Sequence, residues 1–285
     1  MKFFFLSTDH LVDRILFKDD DDFRVAMNYV ALAAYLTGVN VLSFILMSNH
    51  VHFVLECSRD GAEAFINRFK MLYGRHYCRK YNCKDFLRRI KVDIRELKIE
   101  DESLFRGIAY VQMNCVAANI CAHPSMYPWG SGAVFFNRNK LPSKRVGDYS
   151  DRAMIKLLKT KVKLPDDYII CDEGYILPQS FVRVQFVESL FRTPKRYDYF
   201  LNTSSKARAR MEKSAAPSFS DQLILGGVKN LCNSLYRVGS YSELQDSMRA
   251  EVIKYLSVHF KADVNQIARV LGESYSDIVK MLEDF

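Results

Sequence analysis

The densest run of side chains able to do chemistry is Met47-Ser48-Asn49-His50-Val51-His52-Phe53-Val54-Leu55. It reads as a strand, in which side chains alternate, so His50 and His52 share one face while Val51 and Phe53 take the other. Two imidazoles a short distance apart on a rigid strand can each give one nitrogen to a divalent cation and leave other coordination positions open. An isolated HxH pair is more often structural than a ligand pair. Other reactive types are spaced less tellingly. Tyr73, Tyr77 and Tyr81 recur every four residues, which predicts a packed helical stripe rather than a second nucleophile. His10 and His123 stand alone, as structural or solvated histidines usually do, and His76 lies among basic residues. Trp129, in a proline-flanked loop, is placed either to stack on a base or to anchor that loop.

The elements that must position these groups follow from patterning. A strand over 3–8 leads through the acidic run Asp19–Asp22, where carboxylates offset a helix dipole, into a helix over 23–36. Strands over 39–47 and 50–56 follow, then a long helix over 62–81, a strand over 90–94 and a helix over 102–115. The order β-α-β-β-α-β-α predicts an α+β fold, a ferredoxin-like antiparallel sheet with one added helix. Beyond the Tyr127-Pro128-Trp129 loop, helices are predicted over 151–160, 178–191 and 194–211, with a short β excursion over 166–177. A helix over 242–259 and two shorter ones over 263–271 and 274–285 give a mostly α-helical end resembling a helix-turn-helix. There Ala268 marks close helix packing, Gly272 the turn, and Ile267, Leu271, Ile278 and Leu282 a shared core. Asp277, Glu283 and Asp284 on the second of these helices suit duplex DNA poorly, so a plain packing module is an equal reading. These divisions give units of 1–136, 137–212 and 213–285.

Composition bounds the rest. With 49% hydrophobic and 26% charged residues, the 285-residue chain is globular rather than disordered. The formal charge of +8 makes an anionic partner worth testing, and residues 131–212 carry most of that excess. Seven cysteines without a CxxC pair indicate neither a disulfide framework nor a zinc ribbon, and fit a reducing cytoplasm. The apolar start MKFFFL is too short for a signal-peptide core. Residues 25–55 lack Asp, Glu, Lys and Arg, yet the Thr37-Gly38 break and the polar Asn40, Ser43, Ser48 and Asn49 predict a buried helix and strand rather than a membrane span.

Met-x-Asn-His-hydrophobic-His in an apolar strand resembles the HUH motif of single-tyrosine DNA transposases, particularly the REP-associated tyrosine transposases. That family also has a helical Tyr followed four residues later by Asn, then Tyr-Pro-Trp-Ser-Ser. This chain has Tyr110 through Asn114, then Tyr127-Pro128-Trp129-Gly130-Ser131, and an acidic run after Leu16-Phe17; the matches span about residues 3–136. Two departures stand out. Ser48 replaces the usual proline, a change expected to make no chemical contact. Asn114-Cys115-Val116-Ala117-Ala118 loses a proline and an arginine from Asn-Pro-Val-Arg-Ala, which bears on DNA affinity or site choice more than on chemistry.

The resemblance implies a metal-dependent enzyme that cuts and rejoins single-stranded or hairpin DNA. Tyr110 would be the nucleophile, giving a 5′-phosphotyrosyl link and a free 3′-hydroxyl. His50 and His52 would hold Mg²⁺ or Mn²⁺. Four-residue spacing puts Tyr110 and Asn114 on one helix face, so Asn114 is the third ligand expected, with Gln112 the alternative if the helix bends. Arg68, Arg75, Arg79, Lys156, Lys159 and Lys161 are the expected DNA contacts, with Lys195, Arg196, Lys206, Arg208 and Arg210 as further basic positions. A homodimer is one arrangement this family allows. Two other readings remain: a non-catalytic DNA-binding transcriptional regulator, and an HUH replication initiator or relaxase.

Overall fold

A computed structural model describes residues 2–8, 14–84, 87, 90–137, 142–206 and 219–283. His10, Arg208, Arg210 and Asp284 lie outside these residues. The chain runs β1 (Lys2–Thr8), α1 (Asp20–Thr37), β2 (Asn40–Met47), β3 (His50–Cys57), α2 (Arg59–Tyr81), β4 (Val92–Leu97), α3 (Ser103–Gln112) and α4 (Asn114–Ala117). It continues as β5 (Ser143–Arg145), α5 (Asp151–Leu158), β6 (Ile169–Cys171), α6 (Val184–Phe191) and α7 (Pro194–Thr203). The last helices are α8 (Asp221–Leu231), α9 (Asp246–His259), α10 (Val264–Leu271) and α11 (Tyr275–Glu283).

The fold is α+β. Its main sheet has the order β2-β3-β1-β4 with every neighbouring pair antiparallel. Local signals set the boundaries. The Asp19 side chain accepts from the Asp22 amide to start α1, and Gly38 ends it with φ +63°, a left-handed conformation that costs glycine little. Ser58 caps α2 through the Gly61 amide. The Thr37-Gly38 break therefore does separate a buried helix from a buried strand.

The register sorts the sheet into two faces. Leu6 lies opposite Phe53 and Phe4 opposite Leu55; this face meets α2, where Phe53 packs against Phe65 and Phe69 at 5.0 and 5.6 Å between ring centroids. On the other face Ser7 lies opposite His52, and Phe5 lies between Val54 and Arg95. Helix α3 covers that face, its Tyr110 ring 5.7 Å from Phe5.

One continuous core extends from Phe3 to Leu201 and crosses residue 136 without interruption. A second core, containing Ile224, Ile253, Leu256, Ile267 and Ile278, joins the carboxyl-terminal helices and also takes in Ile15. Helices α10 and α11 meet across Gly272, with Ala268 fully buried and Leu271 and Leu282 half-buried.

Several elements differ from expectation, among them the helix expected over 194–211, which ends at Thr203. The helix expected over 178–191 becomes a 3-10 turn followed by α6, because Val182 bridges to Val41 and the Arg183 amide donates to the Val41 carbonyl at the edge of β2. The helix expected over 102–115 ends at Gln112 and resumes at Asn114. The strand expected over 90–94 is β4, two residues later. The segment Trp129–Ser131 also docks on the β2 edge: the Leu46 amide donates to the Trp129 carbonyl at 2.8 Å, and the Ser131 amide to Phe44 at 3.0 Å. A side chain at Gly130 would put its Cβ 2.9 Å from the Phe44 carbonyl oxygen, so only glycine permits that approach.

Candidate metal and nucleophile site

The β2–β3 hairpin turns on Ser48-Asn49 and delivers His50 and His52 to the face covered by α3. Both histidines are buried, His52 to 1% exposure. Their ring centroids are 4.7 Å apart, and the Tyr110 ring meets His52 edge-on at 5.5 Å. His50 Nδ1 lies 2.8 Å from Asn49 Oδ1. An amide oxygen only accepts, so this contact places the imidazole proton on Nδ1.

Asn114 follows the helix break. Its Nδ2 donates to the carbonyls of Tyr110 at 2.8 Å and Val111 at 3.2 Å. Because both partners are acceptors, the nitrogen is the atom engaged and Oδ1 is the atom available to a cation. Gln112 is held elsewhere: its Nε2 donates to Ser43 Oγ at 2.6 Å and Ser131 Oγ at 2.8 Å. The donors that fit a hard or borderline divalent ion are thus two imidazoles and one amide oxygen.

Two cavities flank this row of rings. His50 and Asn114 line one of about 520 Å³, whose opposite wall includes Asp221 and the α10 residues Asn265, Gln266 and Arg269. Tyr110 lines another of about 960 Å³ between α3 and α7, with Arg95, Arg106 and Tyr199. Lys206 lines the first cavity and holds its Nζ 4.9 Å from the Tyr110 ring centroid. Burial pushes the Tyr110 phenol above its ordinary pKa, and the charge of Arg95 opposes part of that rise.

The expected DNA contacts are not brought here. Arg68, Arg75 and Arg79 are exposed on α2, in the layer on the opposite side of the sheet from the histidines. Lys156, Lys159 and Lys161 are exposed on and just after α5, which packs against α1. His123 is exposed and bonded to Ser125. Trp129 stacks on Phe23 at 5.0 Å while also lining the smaller cavity. The tyrosine stripe packs, with Tyr73 and Tyr77 donating to the carbonyls of Leu16 and Ile15.

Ser48, to which the sequence assigns no chemical contact, donates its Oγ–H to Asp221 Oδ2 at 2.6 Å. Asp221 is itself buried and paired with Arg269, Nε to Oδ2 at 2.7 Å and Nη2 to Oδ1 at 3.1 Å. It also accepts from Gln266 at 3.0 Å. The carboxyl-terminal helices are therefore bonded to the turn that carries His50. Nothing in the sequence pairs residues 48 and 221, or 110 and 206.

A different cluster, Asp21, Asp22 and His76, brings ligand atoms within 4.8 Å of one another and could hold a metal ion. Lys80 already sets its ammonium 2.9 Å from Asp22 and 3.2 Å from Asp21. Burial alone would raise the Asp22 carboxyl, but hydrogen bonds from His76, Tyr81, Lys80 and the Lys18 amide outweigh it and hold the group below the usual carboxylate range. A lowered folded pKa contributes stability that is present above the unfolded value of about 3.9 and lost as pH falls through the folded one. Asp22→Asn should therefore cost about 1.5–3 kcal/mol at pH 7 and flatten the acid limb of a urea-midpoint profile. Equal acid slopes in both proteins would refute this role.

Neither the protein-family models nor the curated proteins contain a match. Among solved structures, the chain is similar in part to a transposase. That structure is a REP-associated tyrosine transposase bound to a REP hairpin, 11% identical, aligned over 45% of this chain and 75% of the other with a TM-score of 0.34. Among the described residues, no helix is long and apolar enough to cross a membrane.

Proposed function

We propose that the protein is a metal-dependent single-strand DNA endonuclease and strand transferase of the single-tyrosine HUH type, acting on hairpin-containing DNA through a ferredoxin-like nuclease unit. The observation that carries this reading is the continuous row His50, His52 and Tyr110, with ring centroids 4.7 and 5.5 Å apart on one sheet face. The ordered motif from Met47 to Ser131 supports it.

The chain's own groups have separable tasks. Tyr110 Oη attacks phosphorus; the P–O3′ bond breaks, and the proton lost by the phenol is balanced by one gained at the 3′-oxygen, leaving a 5′-phosphotyrosyl ester and a 3′-hydroxyl. Reversal by the 3′-hydroxyl of another strand end rejoins DNA without ATP. Asn49 fixes the His50 tautomer, and Asn114 couples the end of α3 to the carbonyl of Tyr110. His50, His52 and Asn114 Oδ1 would hold Mg²⁺ or Mn²⁺, which would supply positive charge against the charge that develops on the phosphate. The α10–α11 pair is read as a helix-turn-helix-like unit beside this site.

The test incubates labelled single-stranded hairpin DNA and Mn²⁺ or Mg²⁺ with the unaltered protein, Tyr110→Phe and His50→Ala. A covalent adduct formed by the unaltered protein alone is the expected result. Tight hairpin binding with no adduct from any of the three would instead favour a non-catalytic DNA-binding regulator.

A further inference from the structure

We propose that the cleft between α3 and α7 seats single-stranded DNA against Tyr110, with Tyr199 stacking on a base and Lys206 binding the phosphate beside the phenol. The proposal rests on the strand-cleavage reading and gives a task to the segment around α7.

A strand can meet the Tyr110 phenol only where that side chain reaches open space, and Tyr110 lines the cavity of about 960 Å³ between these helices. Tyr199 lines the same cavity and is 63% exposed, a large ring left in solvent at the mouth of the cleft. It meets the buried Phe200 edge-to-face, at 5.6 Å and 85°. Phe200 in turn stacks on Phe105 of α3 at 5.3 Å, with the Arg196 guanidinium 5.2 Å from the Phe105 ring. An exposed ring at the mouth of a cleft offers a stacking face, and stacking tolerates any base because every base has a π face. Base-paired DNA presents no such free face along its length, which is why the cleft suits a single strand.

Charge gives the strand a direction. Lys206 brings an ammonium to the Tyr110 ring and also lines the cavity of His50 and Asn114, so it stands where the two cavities approach each other. A phosphate between the candidate nucleophile and the candidate ligands would lie beside it. Arg95 and Arg106 also line the cleft and add positive charge along it. Asp101 and Glu102 line the start of α3 and repel a backbone there. A path that meets both Tyr110 and the cavity of His50 and Asn114 runs past Tyr199 and Lys206. Thr203, Ser204 and Ser205 add hydroxyl-bearing side chains along it.

The test measures affinity of the full chain for a fluorescent oligothymidylate by anisotropy, with EDTA present so that no strand is cut. Tyr199→Ala should weaken binding about 5- to 150-fold, and Tyr199→Phe should restore it. Lys206→Met should reduce the slope of log affinity against log salt by about 0.7, the contribution of one phosphate contact on a single strand. Unchanged affinity in Tyr199→Ala together with an unchanged salt slope in Lys206→Met overturns the proposal. Adduct formation is scored separately on the unaltered protein. Adduct formation together with those two null results retires the strand seat and leaves the cleavage reading standing. Loss of affinity in the variants, with no adduct from the unaltered protein, supports the seat and retires the cleavage reading.

Discussion

The rate of covalent adduct formation should rise about tenfold for each pH unit between pH 7 and 9, and Tyr110→Phe should abolish it at every pH. A phenol with an ordinary pKa near 10 is about one part in a thousand ionised at pH 7. Burial raises the Tyr110 phenol further, and Arg95 recovers only part of the shift, so the reactive phenolate is scarce throughout this range. If the phenolate attacks, the rate follows its concentration and climbs with pH until the folded pKa is passed. With the cation saturating and chemistry limiting in single turnovers, log rate against pH should have a slope near one. Loss of the oxygen in Tyr110→Phe removes the nucleophile, a loss on the order of 10³-fold or more. The phenylalanine keeps the ring that packs against Phe5 and His52, so thermal stability should barely change. A flat profile would show that a neighbouring base removes the proton before attack, and an adduct surviving in Tyr110→Phe would exclude Tyr110 as the nucleophile.

Asp221→Ala is the substitution expected to cost most stability, about 3–5 kcal/mol. The Asp221 carboxylate is buried and binds Arg269 through both oxygens while accepting from Ser48 and Gln266. Removing it strands the mostly buried Arg269 guanidinium and cuts the bond from the carboxyl-terminal helices to the hairpin turn. Urea denaturation followed by circular dichroism should show an earlier helical transition, separated from loss of the sheet-based core. Ser48→Ala deletes only one bond to the same carboxylate and should cost about 1.5–3 kcal/mol, without separating the transitions. A midpoint for Asp221→Ala equal to that of the unaltered protein would mean that this contact does not hold the two cores together.

The hairpin that carries His50 and His52 was legible because two-residue alternation is a local property, and the Thr37-Gly38 break is equally local. The Tyr110–Asn114 spacing was readable for the same reason, although the helix between them breaks at Met113. What the sequence did not reveal depends on which face of the sheet each helix covers. Periodicity makes Arg68, Arg75 and Arg79 an exposed basic face, but only the packing of α2 against Phe53 puts that face behind the sheet. Ser48 looked inert because its partner lies 173 residues away. Lys206 stood in a basic run, and no local rule places an ammonium over a tyrosine 96 positions earlier.

Docking of Trp129–Ser131 and Val182–Arg183 on β2 also governs how this sheet meets other chains. An unpaired outer strand is a template for adding foreign strands, and β2, with its run Val41 to Met47, would be an adhesive one. The Trp129 carbonyl and the Ser131 and Arg183 amides occupy backbone groups that such an addition would need. The opposite edge, β4, is short and carries Asp93, Arg95 and Glu96. One border of the sheet is thus sealed by the chain's own loops and the other is guarded by charge, which favours a well-behaved molecule over one that polymerises through its strands.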